Sequence, residues 1–162
     1  MSYFAAALAR TPAGWTAEEL DLDGLSDVDE VADRVRDVDG EAETALLFVE
    51  EDDEYVAILR VDAGADDLRV FVSDPLAAET YPVAGLFAVA VEDEPEAPAD
   101  DEDEDAPDSE PVGDADLLSD LGTPRRDLIA LVTHERTLPS DVISEVCERA
   151  GCLDELETLR GA

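Results

Sequence analysis

The stretch ALLFVEEDDEYVAILRV, from Ala45 to Val61, decides the fold. It holds two apolar strand-like runs, Ala45–Val49 and Tyr55–Val61, joined only by the acidic EEDDE. A third run, Leu68–Val72, follows after the short link DAGADD. Short links between strand-like runs are typical of hairpins, so the sequence predicts three consecutive antiparallel strands.

Two more strands are predicted before this stretch. Tyr3–Ala9 is an apolar run, and Trp15–Leu22 reads as the strand that returns beside it. Between them, TPAG at Thr11–Gly14 places proline and glycine where a turn needs them. The first half of the chain therefore predicts an antiparallel sheet.

A helix is predicted between the second and third strands, where five apolar residues recur at helical spacing. They are Val28, Val31, Ala32, Val35 and Val38. Ser26 is the expected N-cap, Asp27, Asp29 and Glu30 suit the positive helix N-terminus, and Gly40 is the expected stop. After the last strand, Ser73–Pro75 resembles a helix start. The interrupted run from Ala77 to Val91 suits either a helix or a strand, and a broken helix over one face of the sheet is favoured.

An acidic segment divides the chain. Residues 92–113 contain 12 acidic residues and no basic one, with almost no large apolar side chain. Such a segment cannot offset its ordering entropy, so we expect a disordered linker between residues 1–91 and residues 114–162. A linker role is favoured over a lure for a basic partner, and both over a nucleic-acid mimic, which needs charges at fixed spacing.

The last part predicts helices only. Four are expected, at Asp114–Gly122, at Thr123–Glu135 with Thr123 as cap, at Leu138–Gly151 and in LDELETLR from Leu153. The predicted fold class is therefore α+β, with an N-terminal antiparallel sheet, one or two helices, and a small C-terminal helical bundle.

The charge limits the choice of partners. The formal net charge is −35, and all ten cations are arginines. Such a chain repels nucleic-acid phosphates and anionic membranes and attracts basic proteins. A GC-rich genome or adaptation to salt also explains an acidic, lysine-free composition.

The expected location is the cytoplasm. The sequence shows no signal peptide, and no apolar run is long enough to span a membrane. Cys147 and Cys152 are separated by four residues in one helical segment, which is a poor disulfide framework.

One segment imitates a calcium loop. Glu19–Glu30 places acidic residues at the first, third, fifth, ninth and twelfth loop positions, with Gly24 at the sixth. However, Glu19 stands where the motif takes Asp, Ser26 stands where it takes an aliphatic residue, and no entering helix precedes it. A strand end, a glycine turn and a capped helix explain the segment better.

No catalytic constellation emerges. His134, the only histidine, lies near a predicted helix end, and the two cysteines lack zinc spacing. The acidic runs Glu50–Glu54 and Asp66–Asp67 read as solvated turns. We therefore expect no catalytic, metal or cofactor site. Arg125 and Arg126, the one adjacent pair of cations, are candidate partner contacts.

Three segments resemble a known family. MSYFAAALARTPAGWTAEELDLDG, LRVFVSD and DADLLSDLGTPRRDLIALV are similar to the tRNA adenosine deaminase-associated proteins of high-GC bacteria. The resemblance implies an association with the tRNA adenosine deaminase. The chain itself lacks that enzyme's H-x-E and P-C-x-x-C zinc signature.

These observations favour a cytoplasmic, non-enzymatic accessory protein that contacts a tRNA adenosine deaminase or another basic protein. A metal- or small-molecule-binding module that uses the acidic loops is the alternative. A third possibility is an enzyme whose site is assembled across both halves.

Overall fold

The chain is described by a computed structural model over most of its length outside the acidic segment. The described residues are 3–22, 24–25, 27–51, 54–63, 68–74, 77, 79–81, 83–87, 112–133 and 137–161.

Six strands form one antiparallel sheet, in the order β2-β1-β3-β4-β5-β6. The strands are β1 (Tyr3–Thr11), β2 (Gly14–Glu19), β3 (Thr44–Glu51), β4 (Tyr55–Asp62), β5 (Leu68–Val72) and β6 (Val112–Gly113). The predicted hairpin from Ala45 to Val61 lies at its centre, with Leu47 opposite Leu59. On the other side β3 pairs with β1, where Ala7 lies opposite Leu47.

Among the elements whose bounds the structure describes in full, there are four helices and one 3-10 turn beside the sheet. They are α1 (Val28–Arg36), the 3-10 turn at Ser119–Leu121, α2 (Arg125–Thr133), α3 (Pro139–Ala150) and α4 (Leu153–Gly161). Residues 83–87 are also helical. The predicted α+β class, with an N-terminal antiparallel sheet and C-terminal helices, is confirmed.

Both faces of the sheet are buried. Side chains alternate between faces along a strand, so a strand covered on both sides reads as a continuous apolar run. One face packs on α1 and the helical residues 83–87, and its buried members include Ala7, Leu47, Leu59, Val31 and Phe87. The other face packs on the C-terminal helices, and its buried members include Leu8, Phe48, Ile58, Val142 and Ile143.

The ends of α1 differ from the prediction. Asp27, not Ser26, is the N-cap, and its carboxylate accepts a hydrogen bond from the Glu30 N–H at 3.0 Å. The helix ends at Arg36 with Asp37 as C-cap, so Gly40 is not its stop. Ser26 itself lies outside the described residues.

The predicted helix Asp114–Gly122 is wrong. The segment consists of turns and the 3-10 turn, with i→i+3 hydrogen bonds such as Leu121 N–H to Leu118 O at 3.0 Å. The expected cap Thr123 is also wrong, because α2 begins at Arg125. Within the described part of the chain, the buried Thr123 Oγ1 has no hydrogen-bond partner.

Several predictions fall on residues that the structure does not describe. Most of the predicted linker, residues 92–111, is among them, while its last two residues form β6. His134 and the acidic pair Asp66–Asp67 are also outside the described residues. Of the helices that are described, none has the length and hydropathy required to cross a membrane.

Gly113 fixes the entry of the C-terminal part into the sheet, which yields a stability prediction. Its φ is +102°, and a Cβ there would lie 2.2 Å from the Val70 carbonyl oxygen. We expect Gly113→Ala to lower the free energy of unfolding by about 2–4 kcal/mol, since it combines positive-φ strain with a backbone clash. Urea denaturation followed by circular dichroism measures the change.

Gly40→Ala is the matched control, because a Cβ at Gly40 meets no atom within 4 Å. That variant should unfold within about 0.5 kcal/mol of the original chain. Equal stability of the two variants would contradict the role given to Gly113.

Candidate partner-binding surface

Arg60 is a buried cation in the middle of the sheet, on the face that packs against the C-terminal helices. Its guanidinium donates to both carboxylate oxygens of Asp120, at 2.5 and 2.9 Å. It also donates to the Leu117 carbonyl at 2.6 Å and to Asp62 Oδ1 at 3.0 Å. A buried guanidinium is tolerated only when its charge and its donors are satisfied, so these contacts hold residues 114–121 against the sheet.

Two further arginines join elements across the structure. Arg69, which lies directly opposite Arg60, donates through Nε to Asp114. Arg149 on α3 donates to Asp127 in the first turn of α2 at 2.8 Å, and to Glu145 on its own helix at 2.8 Å. Ion pairs thus join β5 to the segment that follows β6, and α2 to α3, in addition to the apolar contacts.

These ion pairs also shift the pKa values of Asp114, Asp120 and Arg60. Donation from Arg60 lowers the pKa of Asp120 below its ordinary 3.8, against the opposing effect of burial. Burial alone would raise the pKa of Asp114, but hydrogen bonds from Arg69 and from the Asp116 N–H lower it overall. The hydrogen bond to Asp120 raises the pKa of Arg60, although burial opposes this.

The internal pairs leave the outer surface strongly acidic. At least five of the ten arginines pair with carboxylates of the same chain. They are Arg36, Arg60, Arg69, Arg125 and Arg149. Since the chain has no lysine, few cations remain to face a partner.

A pocket of about 170 Å³, called the corner pocket below, opens where the β3–β4 turn and the end of β5 meet the α2–α3 connection. It is lined by Glu54, Tyr55, Val56, Ser73, Asp74, Val132, Thr137, Pro139 and Val142. The strand pairing places two of these next to one another. Ser73 Oγ accepts from the Val56 N–H at 2.8 Å, and the Ser73 N–H donates to the Val56 carbonyl at 2.9 Å.

The corner pocket presents a mostly polar surface. Of its lining residues, Tyr55, Val56 and Val142 are buried, whereas Glu54 is exposed and Asp74 is half-buried. Glu54 and Asp74 are the acidic residues in the described part of the lining.

Two helix ends lie around the corner pocket. The C-terminal end of α2, the negative pole of that helix, lies at Val132, which lines the pocket. The N-terminal end of α3 is positive, but Asp141 in its first turn accepts from the Leu138 N–H at 3.3 Å and offsets it.

Leu138 adds apolar surface beside the corner pocket, between the lining residues Thr137 and Pro139. It is 47% exposed, and among the described residues it is the one exposed large apolar side chain. An exposed leucine beside a pocket favours contact with a protein partner.

Arg125 and Arg126 lie at the other end of α2, in its first turn, and both are exposed. Arg125 forms an ion pair with Asp116 at 3.4 Å, and the two side chains remain 60% and 53% exposed. The rise of an α-helix separates Arg125 from Val132 by about 10 Å along the axis, so the arginines and the corner pocket do not form one site.

The segment that imitates a calcium loop uses its carboxylates internally. Asp27 caps α1, and Asp21 accepts a hydrogen bond from the Tyr3 hydroxyl at 3.1 Å. Asp23 lies outside the described residues. In the parts that are described, no three or more His, Cys, Asp or Glu side chains are grouped so that they could hold a metal ion.

The prediction that all of Glu50–Glu54 is a solvated turn is wrong at Glu51. This residue continues β3 opposite Tyr3, is only 3% exposed, and accepts a hydrogen bond from the Tyr55 hydroxyl at 3.0 Å. Cys147 lies in the core, and Cys152 is buried with it; neither forms a disulfide.

Comparison with known proteins gives one match. The model of a protein family described as "Rv3753c-like tRNA adenosine deaminase-associated protein" matches residues 3–153. No curated protein and no solved structure matches the chain.

Asp120 is exposed, but because it pairs with the buried Arg60, its replacement should lower the stability of the fold strongly. Asp120→Ala should lower the free energy of unfolding by about 2–4 kcal/mol, because it leaves a buried guanidinium without its bidentate partner. Asp33→Ala is the control, since it removes an exposed pair with Arg36 and should cost under about 0.5 kcal/mol. Urea denaturation at neutral pH compares the two variants.

The same pair has a defined pH dependence. A carboxylate with a lowered pKa stabilises the fold above its ordinary value and loses that effect as the pH falls through the lowered one. The difference between the original chain and Asp120→Ala should therefore be constant at neutral pH and shrink below 3.8. A difference that stays constant in acid would contradict the assigned pairing.

Proposed function

Because the chain belongs to the Rv3753c-like tRNA adenosine deaminase-associated protein family, we propose that it is an acidic accessory protein of the tRNA adenosine deaminase. In this proposal it binds the enzyme by direct protein–protein contact. It is not itself an enzyme and needs no cofactor. The absence of the deaminase zinc signature from its sequence supports an accessory role.

The distribution of charge is the observation that carries the proposal. At least half of the arginines are used in pairs within the chain, while the net charge is −35. A surface of one sign raises the rate of encounter with a surface of the opposite sign. A basic region of the enzyme is therefore the expected contact.

Direct binding to tRNA is disfavoured by the same charge. Proteins that bind nucleic acid neutralise phosphates with Lys and Arg, and this chain has few cations outside its internal ion pairs. We therefore infer that the chain contacts the enzyme rather than its RNA substrate. The cytoplasm, where the enzyme meets tRNA, is the proposed location, and two buried cysteines without a disulfide suit that compartment.

Arg125 and Arg126 are proposed as secondary contacts. Arg126 is exposed, and the pair of Arg125 with Asp116 is long and solvated, so it is easily exchanged for a partner carboxylate. Their position at the start of α2 would place this end of the helix against the partner.

A small-molecule-binding module is the second candidate. A pocket of about 290 Å³ lies beside the end of α1, and its lining includes Arg36, Asp39 and Asp62 next to apolar Ala45 and Val61. This candidate predicts a rise in melting temperature with a small molecule or a divalent metal ion, in the absence of any protein partner. Thermal-shift screening of the purified chain measures it.

The proposed function predicts a salt-sensitive complex. The purified chain should co-elute with the tRNA adenosine deaminase of the same organism at about 50 mM salt, and less of it should co-elute at about 300 mM, because screening weakens contacts between charged surfaces. Size-exclusion chromatography with and without tRNA gives the result. Added tRNA should leave the complex intact or displace the chain.

Arg125→Ala/Arg126→Ala tests the secondary contacts and should reduce co-elution without abolishing it. Arg34→Ala/Arg36→Ala on α1 removes the same charge and serves as the control. Separate elution of the original chain and the enzyme at every salt concentration would exclude the proposed function.

A further inference from the structure

We propose that the outer edge of β2, from Trp15 to Glu19, is the surface on which the deaminase binds, and that the enzyme adds a basic, extended segment there as a further strand of the sheet. This inference rests on the proposed function and adds to it the surface on this chain and the form of the partner segment. It is carried by the unpaired backbone groups of β2 and by the charge around them.

The strand β2 is the end strand of the sheet and pairs only with β1. In an antiparallel pair, every second residue exchanges hydrogen bonds with the neighbouring strand, and the residues between them point their N–H and C=O groups away from it. The hydrogen bond from the Leu20 N–H to the Ala5 carbonyl, at 2.9 Å, fixes the phase of this alternation. The backbone groups of Trp15, Ala17 and Glu19 therefore point outward from the sheet.

This edge is open in the part of the chain that the structure describes. There, the outward N–H and C=O groups of β2 have no hydrogen-bond partner. Thr16, Glu18 and Glu19 are exposed, and Trp15 and Ala17 are half-buried. A row of unpaired backbone groups on an exposed edge strand is a template on which another extended chain can pair.

The opposite edge of the sheet is covered in part by the chain itself. The strand β6 pairs with Phe71 and Val72 of β5, and the Val70 carbonyl accepts a hydrogen bond from the Asp114 N–H at 2.8 Å. Among the described strands, β2 therefore presents the longer unpaired edge to a partner.

The side chains around the edge of β2 favour a basic segment. From Thr11 to Asp33 the sequence has eight acidic residues and no basic one. Glu18 lies opposite Ala7, on the α1 side of the sheet, whereas Glu19 lies opposite Ala6, on the side of the C-terminal helices. An added strand would therefore meet a carboxylate on each of its faces, and opposite charges on neighbouring strands stabilise their pairing.

Trp15 adds apolar surface to the same edge. Its half-buried side chain packs with the cluster under the C-terminal helices, and α4 lies against β2. An apolar side chain on the added strand would cover the part of the indole that remains exposed, as cross-strand aromatic pairs do. The expected segment therefore combines an apolar residue beside Trp15 with lysine or arginine beside Glu18 and Glu19.

Other occupants fit this edge less well. A second copy of the chain also carries a net charge of −35, and pairing of two β2 strands would bring Glu18 and Glu19 of both copies to one interface. Nucleic acid has no peptide backbone to complete the ladder, and the acidic side chains repel its phosphates. A basic protein segment satisfies both the backbone groups and the charge.

The first test measures amide hydrogen exchange of the full chain by NMR, alone and in complex with the tRNA adenosine deaminase of the same organism. The Thr16 and Glu18 amides face β1 and should be protected in both states. The Trp15, Ala17 and Glu19 amides should exchange at least about tenfold more slowly in the complex, because they become hydrogen-bonded. Unchanged exchange at all three in a complex that forms would overturn the added strand.

The second test is Ala17→Pro, which removes the central outward N–H of the edge. Proline is tolerated on an edge strand where the missing N–H faced solvent, so the fold should be retained. The affinity for the deaminase, measured by isothermal titration calorimetry, should fall at least about tenfold, because the added strand loses a backbone hydrogen bond and meets the proline ring. Ala17→Ser keeps the N–H at the same position and is the control, with a change of less than about threefold.

A third variant tests the charge without changing the backbone. Glu18→Gln/Glu19→Gln should weaken binding by at least about fivefold, because basic side chains on the added strand lose their partners. Glu79→Gln/Glu148→Gln removes the same charge from exposed residues after β5 and on α3, and should change affinity by less than about twofold at 150 mM salt.

The outcomes separate the two proposals. If the original chain binds the enzyme and Ala17→Pro binds as tightly as Ala17→Ser, the added strand is overturned and the accessory role stands. If circular dichroism shows that Ala17→Pro does not fold, amide exchange and the charge variants decide the question. If the original chain does not bind the enzyme, both proposals fail.

Discussion

The ion pair between Arg60 and Asp120 is the constraint on which the arrangement of the two halves depends. A strand that packs on both faces is expected to be apolar, yet β4 carries a guanidinium on the face covered by the C-terminal helices. Burying that charge alone would cost several kcal/mol, so the segment that follows β6 must come to it. Asp120 supplies the charge and the Leu117 carbonyl supplies an acceptor. The helices α2–α4 are then placed over the sheet by covalent continuity and by their apolar faces.

The intramolecular ion pairs affect both the stability of the fold and the charge of the surface that a partner meets. With 45 acidic residues and ten cations, the chain has few positive charges that can form intramolecular ion pairs. The cations concentrate where elements must be joined: Arg60 and Arg69 at the sheet, and Arg149 between α2 and α3. Many of the described carboxylates outside these pairs are exposed, and salt screens the repulsion between them. Because these arginines form ion pairs that hold the fold together, the surface that remains is acidic and suited to basic proteins.

Much of the fold follows from local sequence patterns. The runs from Ala45 to Val61 predict the central hairpin because their links are too short for any other connection, and the apolar stripe of α1 predicts its buried face. The strand register then brings the end of β5 beside the start of β4, so the corner pocket could have been anticipated from the acidic turn and the SDP motif. Local patterns do not predict contacts between residues that are far apart in the sequence. Arg60 meets Asp120 sixty residues along the chain, and the Leu117 carbonyl that accepts from Arg60 lies in the segment that forms turns in place of the expected helix. The sequence alone predicts that Glu51 belongs to the turn, because its partner, the Tyr55 hydroxyl, becomes available only once the hairpin has formed.

The two-residue strand β6 fixes the C-terminal end of the acidic segment to the sheet. Phe87 is buried under one face of the sheet, and Val112–Gly113 are paired with β5. Phe87 and Val112 are thus both held by the same sheet. The entropy of closing a loop grows only with the logarithm of its length, and a doubling costs about 0.6 kcal/mol. A change in the number of residues between these two points should therefore have little effect on the stability of the sheet.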